Sequence, residues 1–230
     1  MTTISASPAD TSATSTATAG RRTVDAATRA FHWLFALCFA GAYLTADGER
    51  WRLVHVTLGY TMVGLLVARI LWGLIGPRRV RLSIMLGKLK SAPGLNWAMT
   101  AAIVGVLMTV ALTTATGYVT YQELTGDWME EVHEFVGNGL LALVLGHIAL
   151  VLGLSALRQR NLVLPMVTGR TPGRGPDLVK HNFTWLAALL LTAVLGFCAW
   201  QWQNAPTGAG LDQGASASSA MDSDDDEDDD

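Results

Sequence analysis

The stretch VHEFVGNGLLALVLGHIALVLG, from Val132 to Gly153, is almost wholly apolar yet carries two histidines, His133 and His147. Such a run reads as a membrane-crossing helix, because about 20 apolar residues rising about 1.5 Å each span a hydrocarbon core. Titratable side chains are costly at that depth and turn toward a bundle interior or a cavity. Fourteen residues of α-helix rise about 21 Å and turn about 1400°, which leaves the two imidazoles within about 40° of each other. His133 and His147 therefore share one helix face, one near each membrane surface.

The rest of the chain repeats this character. Of its 230 residues, 50% are hydrophobic and only 15% are charged, which is low in charge for a soluble protein. The apolar residues gather in five blocks, roughly 30–46, 53–75, 97–119, 132–157 and 183–202. Each is close to the length needed to span a bilayer, and strand-like alternation is absent. The expected fold is an all-α membrane protein, a bundle of about five transmembrane helices. Of the 16 Lys and Arg residues, only Arg50 and Arg52 fall on the side reached after the first span. Positive-inside bias then places the N-terminus in the cytoplasm and the C-terminus in the periplasm of a bacterial inner membrane. Trp33, Trp51, Trp97, Trp128, Trp200 and Trp202 lie near span ends, as an interfacial belt requires.

Three domains are expected: a disordered segment over 1–21, a transmembrane domain over 22–204 and a disordered acidic tail over 205–230. The first segment is rich in Ser, Thr and Ala, and the tail ends in DSDDDEDDD, eight acids in nine residues. Arg21 and Arg22 before a short apolar block imitate a secretion signal. A cleaved signal is not expected, because the first block holds a histidine that pairs with others below. Cys38 and Cys198 lie inside the first and fifth blocks and read as packing residues.

The chain has five histidines, His32, His55, His133, His147 and His181. With alternating spans, His32 at the start of the first block shares a level with His147. His55 at the start of the second shares the opposite level with His133. Two imidazoles at each of two depths are what two stacked bis-histidine haems require, held between the first, second and fourth spans. No CxxCH motif is present, so the haems would be bound non-covalently, as b-type groups. Gly59 and Gly137 each follow a histidine by four residues, one helical turn along the same face, where a flat macrocycle needs a surface without a side chain. Small residues also serve plain helix packing. A zinc or di-iron site would gather its ligands at one level and add carboxylates, which the inner pair lacks within its spans. His181 has no partner at its depth and reads as interfacial.

RAFHWLFA at 29–36, VHVTLGYTMVGLLVARILWGLIGP at 54–77, His133 and His147, and RQRNLVLPMVTGR at 158–170 together resemble the bacterial transmembrane di-haem cytochrome b family. This is the cytochrome b-561 type, which includes the b-type cytochrome subunits of membrane-bound nickel–iron hydrogenases. The resemblance runs from residue 22 to about residue 202. The fifth span looks more like the hydrogenase-type subunit, and the Ser/Thr-rich start and acidic tail lie outside the family pattern. The resemblance implies two b-type haems, electron exchange with a membrane quinone, and a partner redox protein.

Propionates of such haems are anionic and call for cations near the membrane faces. Arg50 and Arg52 are the outer candidates, and Arg29 and Arg69 the inner ones. Glu123, Asp127, Glu130, Glu131 and Glu134 surround the outer end of the fourth span, either as a rim for a basic electron carrier or as ordinary acids at a helix start. The expected function is electron transfer across the membrane through His32/His147 and His55/His133 iron sites. It would run between quinone and a periplasmic redox partner such as a c-type cytochrome or a hydrogenase-like complex. The alternatives are a self-sufficient quinone oxidoreductase or superoxide scavenger, and a membrane anchor of a hydrogenase-like complex.

Overall fold

The computed structural model describes residues 20–76, 81–90, 94–173 and 175–205. Nearly all of both terminal segments read above as disordered lies outside these residues. Five long helices dominate: α1 (Ala26–Leu44), α2 (Arg52–Ile75), α4 (Leu95–Tyr121), α5 (Trp128–Leu157) and α7 (Thr184–Gln203). Two short helices, α3 (Leu82–Leu89) and α6 (Leu164–Thr168), lie between them, and a single 3₁₀ turn at Glu49–Trp51 leads into α2. Neither short helix was legible as a separate element.

Local chemistry sets the helix ends. The Asp25 carboxylate accepts from the Thr28 N–H at 2.7 Å and caps α1. Glu130 and Glu131 sit in the first turn of α5, where the helix dipole favours anions. Gly76 precedes Pro77 in the sequence, a position that disfavours helical backbone, and α2 ends at Ile75. Pro165 occupies the first turn of α6, and Gly169 closes it at φ 76°, a left-handed conformation that suits glycine.

Four helical stretches are long and apolar enough to cross a membrane: Glu49–Ile75, Trp97–Tyr121, Trp128–Leu157 and Thr184–Gln203. The remaining long helix, α1, is well formed over 19 residues but does not join them. Arg29 and His32 in its first two turns lower its average hydropathy. The expectation of five spans thus holds for the count of long helices and is refined for the apolar character of the first. Outward-facing apolar side chains such as Phe135, 80% exposed, and Leu157, 75% exposed, form a surface that suits lipid rather than water.

The closest helix pairing is α4 with α5, followed by α1 with α2 and α1 with α7. Helix α5 makes no comparable approach to α1 or α2, so the helix with two histidines stands off from the helices that carry their partners. The core joins Phe31, Cys38, Met62, Leu65, Leu66, Val110, Leu140 and Leu190, drawn from all five long helices. Both cysteines are free, and Cys38 is buried in this core.

A two-stranded antiparallel clip closes one end. Strand β1 (Arg21–Arg22) pairs with β2 (Arg170–Thr171), so Arg21 is in a strand rather than in a disordered leader. The Thr23 and Val24 N–H groups donate to the Gly169 carbonyl at 2.9 and 3.2 Å, and the Arg22 N–H donates to the Asp177 carboxylate at 2.7 Å. This end also holds Arg158, Arg160 and Lys180, and is termed the basic face. The opposite end, with Asp47, Glu49, Glu123, Asp127, Glu130 and Glu131, is the acidic face.

Candidate functional site

At the acidic face, α2 presents His55 and α5 presents His133. Their ring centroids are 6.2 Å apart and the planes cross at 89°. With a metal–nitrogen bond of about 2 Å and the radius of each ring, two imidazoles across one metal have centroids roughly 6 Å apart. His55 Nδ1 lies 2.8 Å from the Ala42 carbonyl of α1. A carbonyl only accepts, so this nitrogen carries the proton and Nε2 keeps its lone pair. His133 Nδ1 is 3.1 Å from the Thr116 hydroxyl of α4. With that hydroxyl donating to the Leu112 carbonyl at 3.0 Å, its oxygen accepts from Nδ1–H, and the lone pair again falls on Nε2.

Glycines shape the space around this pair. A Cβ built on Gly59 or Gly137 would meet nothing within 4 Å, so open room lies beside each histidine one turn along its helix. Gly117 does the opposite. A Cβ there would sit 2.8 Å from His133 Cε1 and 3.2 Å from Nδ1, so only glycine lets α4 press against the imidazole. Sequence reasoning named Gly59 and Gly137 as candidates and missed Thr116, Gly117 and the Ala42 carbonyl. The Thr-Gly step inside an apolar helix was the available signal, but nothing in it points to α5.

At the basic face, His32 of α1 and His147 of α5 lie within electrostatic range of each other. Both Nδ1 atoms are enclosed and without a hydrogen-bond partner among the described residues. Arg29 donates to the Val167 carbonyl at 2.8 Å through one terminal nitrogen, while its Nε is enclosed and unpartnered. Trp33 Nε1 donates to the Met166 carbonyl at 3.0 Å, so α6 is pinned to α1 beside His32. Arg69 of α2 is half-buried and within electrostatic range of Asp25. Three nitrogens at this level, His32 Nδ1, His147 Nδ1 and Arg29 Nε, are thus enclosed without partners among the described residues, each a cost of about 1–3 kcal/mol in a finished interior.

Between the two levels sits Leu140, with no exposed surface. It is seven residues from each histidine of α5, two helical turns either way, so it occupies the same face midway. This could have been read from the sequence and was not.

The remaining sequence candidates lie near helix ends. The Arg50 guanidinium lies 5.7 Å from the Trp51 ring centroid and that of Arg52 lies 5.7 Å from Tyr121, and both line a cavity with Glu49 and Gln201. Glu123, Asp127, Glu130, Glu131 and Glu134 are all exposed. His181 is exposed, with its ring 6.0 Å from that of Phe183 at the start of α7. No group of three or more His, Cys, Asp or Glu side chains converges among the described residues, so the histidines stand as pairs.

These features fit a flat, metal-bearing macrocycle at the acidic face. The helix that carries two imidazoles is held off its partners, the acidic-face rings are spaced for one metal with Nε2 free, and glycines leave open surface beside them. No curated protein and no solved structure matches the chain. The family model described as prokaryotic cytochrome b561 matches residues 23–169, a stretch that ends before α7 and includes all four paired histidines, and the chain belongs to that family.

Proposed function

We propose that this membrane b-type cytochrome holds two haems, one between His55 and His133 and one between His32 and His147, and passes electrons between a membrane quinone and a redox partner. The reading rests above all on the acidic-face pair, whose ring spacing of 6.2 Å goes with Nδ1 partners that leave both Nε2 atoms available. When bound, each haem supplies a reversible one-electron iron centre. Two imidazoles would hold each haem, and such a ligand set would favour electron passage over binding of small molecules. Ala42 and Thr116 orient the acidic-face imidazoles, and Gly59 and Gly137 leave room beside them. Arg29 and Arg69 are the cations for anionic edges at the basic face. Leu140 and its core neighbours keep the space between the levels dry.

The exposed acids Glu123, Asp127, Glu130, Glu131 and Glu134 support a basic carrier, such as a c-type cytochrome, as the partner at the acidic face. A subunit of a hydrogenase-like complex would suit the same rim if its docking surface were basic. Opposite charges raise encounter rates most at low salt, and about 0.15 M salt screens them beyond about 8 Å.

The test is a reduced-minus-oxidised spectrum of purified protein with a haem-to-protein ratio. A ratio of two with b-type bands is expected, and a ratio of one would sink the two-site reading.

A further inference from the structure

The acidic face contains a cavity-lining cluster beside the His55/His133 pair. The 3₁₀ turn, the first three turns of α2, the end of α4 and the end of α7 line a half-open cavity of about 510 Å³. This is within the range of about 300–1,000 Å³ found for small-ligand pockets. On α2, Leu53, Val56 and Tyr60 follow the i, i+3, i+7 spacing of one helix face and form an apolar floor. At about 100° per residue, that face is centred about a third of a turn away from His55, so the cavity opens beside the histidine cradle rather than into it.

Its rim is cationic. Arg50 and Arg52 are the only Lys or Arg residues at this end among those described, and both line this one cavity. Each guanidinium lies over an aromatic ring, Arg50 on Trp51 and Arg52 on Tyr121. Neither makes a hydrogen bond or ion pair among the described residues, although Glu49 shares the rim. Two guanidiniums braced on aromatic faces keep their N–H edges free for an anion. Gln122 and Gln201 add neutral donors. The apolar floor starts where α2 enters the apolar stretch of the bundle, and Trp51, Tyr121 and Trp128 mark that boundary with exposed rings.

We infer that this cavity binds an anionic phospholipid, with its phosphodiester between Arg50 and Arg52 and the start of an acyl chain against Leu53, Val56 and Tyr60. A fully soluble anion would leave the floor unused, and a neutral amphiphile would leave both charges unanswered. Glu49 weakens the site by one negative charge and sets a further expectation: Glu49→Gln tightens it.

The experiment is native mass spectrometry of the full-length protein in mild detergent, offered phosphatidylglycerol and phosphatidylcholine at equal concentration. The wild type should retain phosphatidylglycerol at least tenfold better. Arg50→Gln with Arg52→Gln should bring the preference to within twofold while keeping the wild-type haem-to-protein ratio. Val56→Trp, which fills the floor and keeps both cations, should weaken retention of either lipid and serves if the double variant does not fold. Inorganic phosphate in hundredfold excess should not displace the lipid. Equal retention of the two lipids by the wild type, or an unchanged preference in the double variant, overturns the inference. Displacement by free phosphate assigns the rim to a soluble anion and also overturns it, as does displacement by a neutral quinone analogue. Loss of haem in the double variant would give the arginines to the neighbouring histidine pair, again against the inference.

Discussion

The two histidine pairs of α5 are built to different plans. At the acidic face the chain completes the imidazole environment itself. Ala42 and Thr116 hold the Nδ1 atoms, Gly117 presses on one ring, and Gly59 and Gly137 leave room one turn along. At the basic face the Nδ1 atoms of His32 and His147 are enclosed and without partners among the described residues, and the residues one turn along are Ala36 and Val151. The order there comes from α6 and the β1–β2 clip, which fix the start of α1 through Arg29 and Trp33. One level is positioned by side-chain and carbonyl contacts on the rings, the other by anchoring the helix that carries the ring. The first kind of positioning fixes tautomer and ring plane, and the second fixes only where the ring starts from.

The largest effect should come from removing ligands. His55→Ala and His133→Ala should each lower the haem-to-protein ratio from two to one and remove the same spectral component. His32→Ala and His147→Ala should each remove the other component. Any variant that removes the component assigned to the opposite pair breaks the two-level comparison outright.

Leu140 belongs to both levels, so its loss should be symmetric. Leu140→Ala should cost about 2–5 kcal/mol, as expected for truncating a fully buried leucine. Thermal release of both haem signals should move down together. A shift confined to one signal would place Leu140 within a single site and sharpen the division between them.

Thr116 tests the asymmetry itself. Thr116→Val removes the hydroxyl beside His133 Nδ1 at nearly constant volume and leaves the Thr113 carbonyl nearby, and loss of an outer partner typically costs about 10–100-fold in affinity for the bound group. Haem titration should show this weakening at the acidic face alone, with a changed low-spin electron paramagnetic resonance signal for that component. An equal change at the basic face would erase the contrast between the two levels.

The smallest effect is expected at the cap of α1. Asp25→Ala should cost about 1 kcal/mol. The loss should appear in the denaturation midpoint, with any spectral change restricted to the basic-face component.

Much of this was legible because helix geometry is periodic. The fourteen-residue spacing of His133 and His147, the alternation of spans and the four-residue offsets of Gly59 and Gly137 follow from residue rise and turn alone. The supporting contacts were not legible, because they cross between helices. Thr116 reaches His133 only because α4 and α5 run side by side, and the Ala42 carbonyl reaches His55 only because α1 bends back on α2 through a short loop. No local pattern encodes such an approach. Arg50 and Arg52 were recognised as unusual by charge and depth, but the direction of their side chains depended on Trp51 and Tyr121. The first span was read from its apolar run, which understated what Arg29 and His32 do to its mean hydropathy. The short α3, the short α6 and the clip carry too few residues to show a period, although Pro165 and Gly169 mark the ends of α6.

The clip also dictates an order in time. Strand β1 is among the first described segments to leave the ribosome, yet its partner begins at Arg170. The start of α1 therefore waits, untethered, while α2, α4 and α5 are made, and is fastened only when most of the chain exists. His55 and His133 need nothing beyond α5 to meet, whereas the anchorage beside His32 is incomplete until α6 and β2 have followed. A chain cut short after α5 would contain all four paired histidines and both ring contacts of the acidic-face pair, but would lack the anchorage beside His32.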